Sequence, residues 1–120
     1  MTWDVEGTAE FQDWYVNLSE DQQDRIDAAV ELLAQRGPSL GRPYVDTISA
    51  SRYANLKELR VRQGGNLRML FMFDPRRTAI MLFGGDKTGQ WNAWYERAIP
   101  EAERLFEEYL RELREEGLLP

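Results

Sequence analysis

The sequence predicts a single α+β domain spanning residues 1–120. Two amphipathic helical segments come first, three strand-like runs separated by turn residues occupy the middle, and a final amphipathic helix closes the chain. A chain of 120 residues supports one hydrophobic core, and 42% hydrophobic with 30% charged residues is the composition of a packed domain rather than a disordered one.

Trp3 and Val5 with polar neighbours read as a short first strand that Gly7 closes. Phe11, Trp14, Tyr15 and Leu18 recur at i, i+3, i+4 and i+7, which places four large apolar groups on one face of a helix over residues 8–17. Ser19 followed by Glu20, Asp21 and Gln22 is a capping-box pattern, and Ile26, Ala29, Val30 and Leu33 continue it as a second helix that stops at Gly37-Pro38. So short a link makes the two helices an antiparallel hairpin. Residues 37–54 read as loop, punctuated by Gly37, Pro38, Gly41 and Pro43. Residues 55–62, 66–73 and 78–83 form a meander of three strands, with turns at Gln63-Gly64-Gly65 and Asp74-Pro75-Arg76-Arg77. Pro100 marks a helix start, and Ala102, Leu105, Phe106, Tyr109, Leu110 and Leu113 carry that helix to Gly117.

There are no cysteines and no histidines, so disulfides, thiolate nucleophiles and imidazole bases are excluded, and neither a metal nor an organic cofactor is expected. Residues 1–10 lack a basic start followed by an apolar run, and nothing approaches the roughly 18–20 apolar residues of a membrane span. No membrane partner is implied, and the cytoplasm is the expected compartment. The net charge of −6 hides an asymmetry. Residues 1–50 hold three basic and ten acidic side chains, residues 51–100 nine and four, and residues 101–120 three and seven. That basic middle either marks where a polyanion docks or is a chance cluster on a solvated strand face.

A three-residue loop at 63–65 sets Arg60 opposite Arg68, Leu59 opposite Met69 and Val61 opposite Leu67. Closing the second hairpin with Asp74 opposite Arg77 sets Phe71 against Ile80 and Met69 against Leu82. One face then carries Leu59, Val61, Leu67, Met69, Phe71, Phe73, Ile80 and Leu82 and receives the helices. The other carries Glu58, Arg60, Arg62, Arg68, Leu70, Met72, Met81 and Phe83. Two facing arginines repel, and two explanations stand. Glu58 between them makes an ordinary charge-balanced cluster, or the pair is an anion site whose guanidinium forks suit phosphate, with Met72, Met81 and Phe83 offering bases an apolar surface. Lys87, after Gly84-Gly85-Asp86, is either a solvated loop lysine or a charge aimed at the same face. Trp91, Trp94 and Tyr95 either pack against the last helix or serve a base or a proton.

The chain resembles the phage-derived HigB-like toxins of the RelE/ParE toxin superfamily. The resemblance runs through Gly37-Pro38, Leu40-Gly41-Arg42-Pro43, Val45-Asp46, Ser51-Arg52, Asn55-Leu56-Lys57-Glu58-Leu59-Arg60, Arg68, Phe73-Asp74-Pro75, Gly84-Gly85-Asp86-Lys87 and Ile99-Pro100-Glu101-Ala102. It implies a RelE/ParE-like fold with helices on one face of a curved antiparallel sheet, and a toxin of a type II toxin–antitoxin system. It further implies a ribosome-dependent mRNA endonuclease that acts by 2′-hydroxyl attack, partnered by a cognate antitoxin of the helix-turn-helix kind, the ribosome and mRNA. Carried over by residue, it names Arg60 and Arg68 as a phosphate clamp, with Lys87, Tyr95 and Lys57 as proton-transfer candidates. Arg62, Phe83, Arg52 and Arg76 are RNA-binding candidates. Lys57 falls on the helix-packed face, from which its long stem would have to snorkel. Two other readings are a noncatalytic ParE-like inhibitor of gyrase and an inactive prophage relative that keeps only antitoxin binding. The chain departs from its relatives in lacking the histidine that several HigB toxins use, and in being acidic where such toxins are usually basic.

Overall fold

A computed structural model describes residues 2–62 and 66–119, and the elements follow the order β1 (Asp4–Gly7), α1 (Ala9–Val16), α2 (Glu20–Arg36), β2 (Val45–Thr47), β3 (Lys57–Val61), β4 (Leu67–Phe73), β5 (Thr78–Asp86) and α3 (Trp91–Glu115). The five strands form one open sheet ordered β1-β5-β4-β3-β2. The sheet is mixed rather than wholly antiparallel, because β1 runs parallel to β5 at its edge. The loop expected at 63–65 lies outside the described residues. Among the described residues no helix is long and apolar enough to cross a membrane.

The first helices form where their caps demand. Thr8 Oγ1 accepts the Phe11 N–H at 3.1 Å, and the Ser19–Gln22 capping box is present in both directions. Within the stretch read as loop, Val45–Thr47 pairs with β3, and Val45 is buried opposite Leu59. Three residues are too few to show an alternation of their own, so that strand exists through its partner.

The last helix is longer than its proline signal suggests. α3 begins at Trp91, and Pro100 lies inside it. Pro100 gives up one intrahelical N–H, yet the buried stripe of Trp94, Ala98, Ile99, Ala102 and Leu105 runs past it on both sides and holds the helix to the sheet. At the other end Gly117 takes φ +76°, and its N–H and that of Leu118 bond back to the carbonyls of Arg114 and Leu113, a glycine-terminated Schellman turn.

The register of β3 on β4 is as expected, with Arg60 opposite Arg68, Leu59 opposite Met69 and Val61 opposite Leu67. The second hairpin differs. The Asp74 N–H donates to the Thr78 carbonyl at 2.9 Å and Arg77 sits at φ +67°, so three residues rather than two make the loop. Buried Asp74 fixes that loop by accepting the N–H groups of Arg76 (2.8 Å) and Thr78 (3.0 Å). One extra loop residue flips side chains across the sheet: Met81 pairs with Phe71, while Ile80 and Leu82 move to the arginine-bearing face. An irregularity between Leu70 and Phe71 then leaves Phe83 opposite Leu70, on the α3 side together with Leu82.

Helices therefore cover both faces. Phe11 of α1 with Ile26 and Leu33 of α2 pack on Leu59, Val61, Leu67, Met69, Phe71, Ala79 and Met81. The opposite core sets Trp94, Ala98, Ile99, Ala102, Leu105 and Phe106 of α3 on Leu70, Met72, Ile80 and Leu82. The expectation of an open arginine face with Met72 and Met81 exposed to bases is overturned: Met72 is sealed under α3, and Met81 points to the other layer.

Candidate functional site

Where α3 begins, its layer changes from apolar to polar. Glu58, Arg60 and Arg68 project from the centre of the sheet at this end, because alternation puts Glu58 and Arg60 on one face of β3 and pairing puts Arg68 beside them. Glu58 is 1% exposed and Arg68 4%. The Arg60 Nε–H donates to Glu58 Oε1 at 2.8 Å, and the Arg68 Nε lies 3.9 Å from the same oxygen. Arg68 Nη1 donates to the Leu67 carbonyl at 3.0 Å, but its buried Nε has no hydrogen-bond partner among the described residues. Arg60 also reaches Asp46 of β2 at 3.0 Å, so that unexpected strand orients the arginine.

The other carboxylate oxygen of Glu58 accepts the Tyr95 hydroxyl at 2.6 Å, and the Tyr95 oxygen in turn accepts from Lys87 Nζ at 3.3 Å. Lys87 is not a solvated loop lysine. It is 7% exposed, with its ammonium 4.4 Å from the ring centre of Trp91. Burial, and then the neighbouring Arg68 charge, hold the Lys87 ammonium below the usual lysine range, with Glu58 opposing and Arg60 and Arg62 adding to the push. Burial and the hydrogen bond to the Glu58 carboxylate push the Tyr95 phenol up to about 12.

Gly84 and Gly85 explain how α3 comes so close. A Cβ on Gly85 would overlap the Trp94 indole, and one on Gly84 would overlap Trp14 of α1 on the opposite face. Gly85 lies opposite Arg68, so its missing side chain seats Trp94 there and brings the next residue, Tyr95, onto Glu58.

Arg60, Arg68, Lys87 and Tyr95 thus converge, and Arg62 stands exposed at the rim while Phe83 lies half-buried against Trp94. Three of the nine candidates lie elsewhere. Lys57 points to the α1–α2 side, where its Nζ lies 3.5 Å from Thr47 Oγ1. Arg52 pairs with Glu107 on α3, three turns and roughly 18 Å beyond Tyr95. Arg76 is held by Asp74 and Glu6 at the far hairpin, about 20 Å along β4 from Arg68. Sequence reasoning gave Glu58 only a balancing role, although its place two residues before Arg60 already set it on the arginine face.

The cluster combines three cations and a phenol around one buried carboxylate, an excess of positive charge poised for an anion. The family model for phage-derived Gp49-like proteins (DUF891) matches residues 13–107, a span that contains the entire cluster. The chain belongs to this Gp49-like family. Its relatives include two Mycobacterium tuberculosis proteins named as toxins. HigB3 is 45% identical over 97 residues, covering 81% of this chain and 84% of HigB3. HigB2 is 42% identical over 104 residues, covering 85% of this chain but only 52% of HigB2. The fold matches free Escherichia coli RelE with a TM-score of 0.63 at 8% identity, over 83% of this chain and 97% of RelE. It also matches an archaeal RelE–RelB complex from Pyrococcus horikoshii with a TM-score of 0.56 at 16% identity, over 72% and 97%. This Gp49-like chain is a toxin of the toxin–antitoxin class with the RelE-like fold.

Proposed function

We propose that the chain cleaves messenger RNA on the ribosome, at the cluster around Glu58. The observation that supports this most is the convergence of Arg60, Arg68 and Lys87 at the polar end of one sheet face, beside exposed Arg62. Attack of a 2′-hydroxyl on the adjacent phosphate builds charge on the phosphoryl oxygens and on the leaving 5′-oxygen. Arg60, partly open to solvent, meets the scissile phosphate, and Arg68 acts from beneath it as fixed positive charge rather than as a surface clamp. Lys87, whose ammonium surrenders its proton more readily than an ordinary lysine, protonates the leaving oxygen. Arg62 holds a neighbouring phosphate, while Phe83 and the exposed Trp91 give bases a surface to stack on. Lys57, Arg52 and Arg76 take no part.

The partners on this reading are the translating ribosome, its mRNA and a cognate antitoxin of the helix-turn-helix kind, and the working compartment is the cytoplasm. The archaeal RelE structure, with its bound RelB, is the fold-level precedent for such a pairing. Induced expression should halt growth and leave breaks inside translated reading frames. Arg60→Ala should reduce cleavage about a hundredfold or more. Growth arrest with intact transcripts and inhibited gyrase supercoiling would replace this reading with the gyrase-inhibitor one.

A further inference from the structure

The cleavage reaction requires an acceptor for the 2′-hydroxyl proton, and this chain has no histidine to serve. Arg60, Arg62 and Arg68 are permanently protonated, and Lys87 is committed as the acid. Glu58 is an acceptor, but at 1% exposure it touches no substrate. Tyr95 is only half-buried, yet a phenol pushed up to about 12 is a poor base by itself. Neither group suffices alone. Joined by a 2.6 Å hydrogen bond they do.

We propose that Glu58 acts as the base through Tyr95: the phenol oxygen takes the 2′-hydroxyl proton while the phenol's own proton passes to the Glu58 carboxylate. This rests on the cleavage reading above. The 2′-oxygen forms its bond to phosphorus, the bond from phosphorus to the 5′-oxygen breaks, and a Lys87 proton moves to that oxygen. The products are a 2′,3′-cyclic phosphate and a 5′-hydroxyl. Glu58 is left protonated and Lys87 neutral. Because the Tyr95 oxygen also lies 3.3 Å from Lys87 Nζ, the same phenol returns the proton from carboxyl to amine and resets both groups. Glu58 is thus a positioning and proton-storing residue, and Tyr95 is the catalytic contact. The charged groups facing Glu58 are Arg60 from β3, Arg68 from β4 and Lys87 from the turn before α3, with Asp46 of β2 behind Arg60.

The test measures single-turnover cleavage on mRNA-programmed ribosomes across pH, together with binding of the same mRNA carrying a 2′-deoxy nucleotide at the scissile position. Glu58→Gln should cut about a hundredfold more slowly or worse. It should also lose the wild-type fall in rate on acidification, and it should bind the deoxy mRNA as tightly as wild type or a few-fold tighter, because a negative charge has left the anion site. A merely structural role for Glu58 would weaken binding and rate together. Tyr95→Phe keeps the Arg60–Glu58 ion pair and guards against a folding artefact. It should bind normally and cut as poorly as Glu58→Gln. Wild-type rates in Tyr95→Phe, or an unchanged acid limb in Glu58→Gln, would overturn the relay. Intact mRNA with the wild-type protein would overturn the cleavage reading itself, a result that depends on neither variant.

Discussion

The two faces of the sheet bury similar amounts of side chain but do different work. On the α1–α2 face, Leu59, Val61, Leu67, Met69, Phe71 and Met81 are uniformly apolar. On the α3 face the apolar core of Leu70, Met72, Ile80 and Leu82 gives way, within one strand length, to Glu58, Arg60 and Arg68. One face is a foundation, and the other spends part of its burial on polar groups whose attraction must offset their lost hydration. Buried Asp74 and Glu103 pin loops elsewhere, whereas this end gathers buried Glu58, Arg68 and Lys87 beside one another, an arrangement suited to chemistry more than to stability.

The largest effects should come from breaking each face at its centre. Glu58→Ala leaves Arg68 buried without a countercharge and should cost about 3–5 kcal/mol in urea unfolding. Phe71→Ala should cost about as much, through the cavity it leaves. The two differ in kind: a shape-conserving apolar swap such as Leu59→Met should cost less than about 1.5 kcal/mol, whereas no neutral replacement of Glu58 restores the charge that Arg60 and Arg68 face.

A sharper comparison uses the adjacent glycines. Gly84→Ala and Gly85→Ala each push a methyl into an indole and should each lose about 1–3 kcal/mol. Only Gly85→Ala should also abolish cleavage, because Trp94 precedes Tyr95 on α3, whereas Trp14 belongs to the opposite layer. Equal activity in the two variants would sever the link between helix seating and the site.

The pH dependence is smaller. The Tyr95 phenol is raised in the folded state, so its contribution to stability is fully present below about 10, the unfolded value, and is lost as pH rises through about 12. Ultraviolet titration of Tyr95→Phe should lack one late-ionising phenol, leaving Tyr15, which its hydrogen bond to Asp27 likewise raises to about 12. The smallest expected change is Ser19→Ala, which removes a helix cap bonded to Gln22 and should cost about 1 kcal/mol with cleavage intact.

Much of this was legible before the fold. Periodicity placed α1 and α2 and the β3–β4 register, and with that register the Arg60–Arg68 pair. The failures were local rules that burial overrode. Pro100 looks like a beginning because its N–H is dispensable there, but the apolar stripe continues on both sides of it. The second hairpin is one residue longer than its turn sequence suggests, because Arg77 adopts a left-handed conformation that its side chain does not advertise. That single residue puts Met81 in the layer opposite the one the two-residue loop predicts. Glu58 was legible as a neighbour of the arginines but not as an acceptor for Tyr95, since thirty-seven residues separate the two and only the docking of α3 joins them.

On the cleavage reading, the surroundings constrain how RNA arrives. The outer turns of α2 carry Glu20, Asp21, Asp24, Asp27 and Glu31, and those of α3 carry Glu101, Glu107, Glu108 and Glu112. These acidic flanks repel a polyanion, and Asp21 and Asp24 share one groove with Arg60 and Arg62, so the way in to those arginines is bordered by acid. Net negative charge thus narrows the direction of approach for a nucleic-acid substrate.

Tyr95 rides on the C-terminal helix, whereas its acceptor and the arginines are rooted in the sheet. The proposed relay thus exists only while helix and sheet stay in register. Prising that helix outward by a single ångström would stretch a 2.6 Å link past the span that protons cross readily. Whatever lifts the helix disarms the molecule from a distance, with every guanidinium still in place.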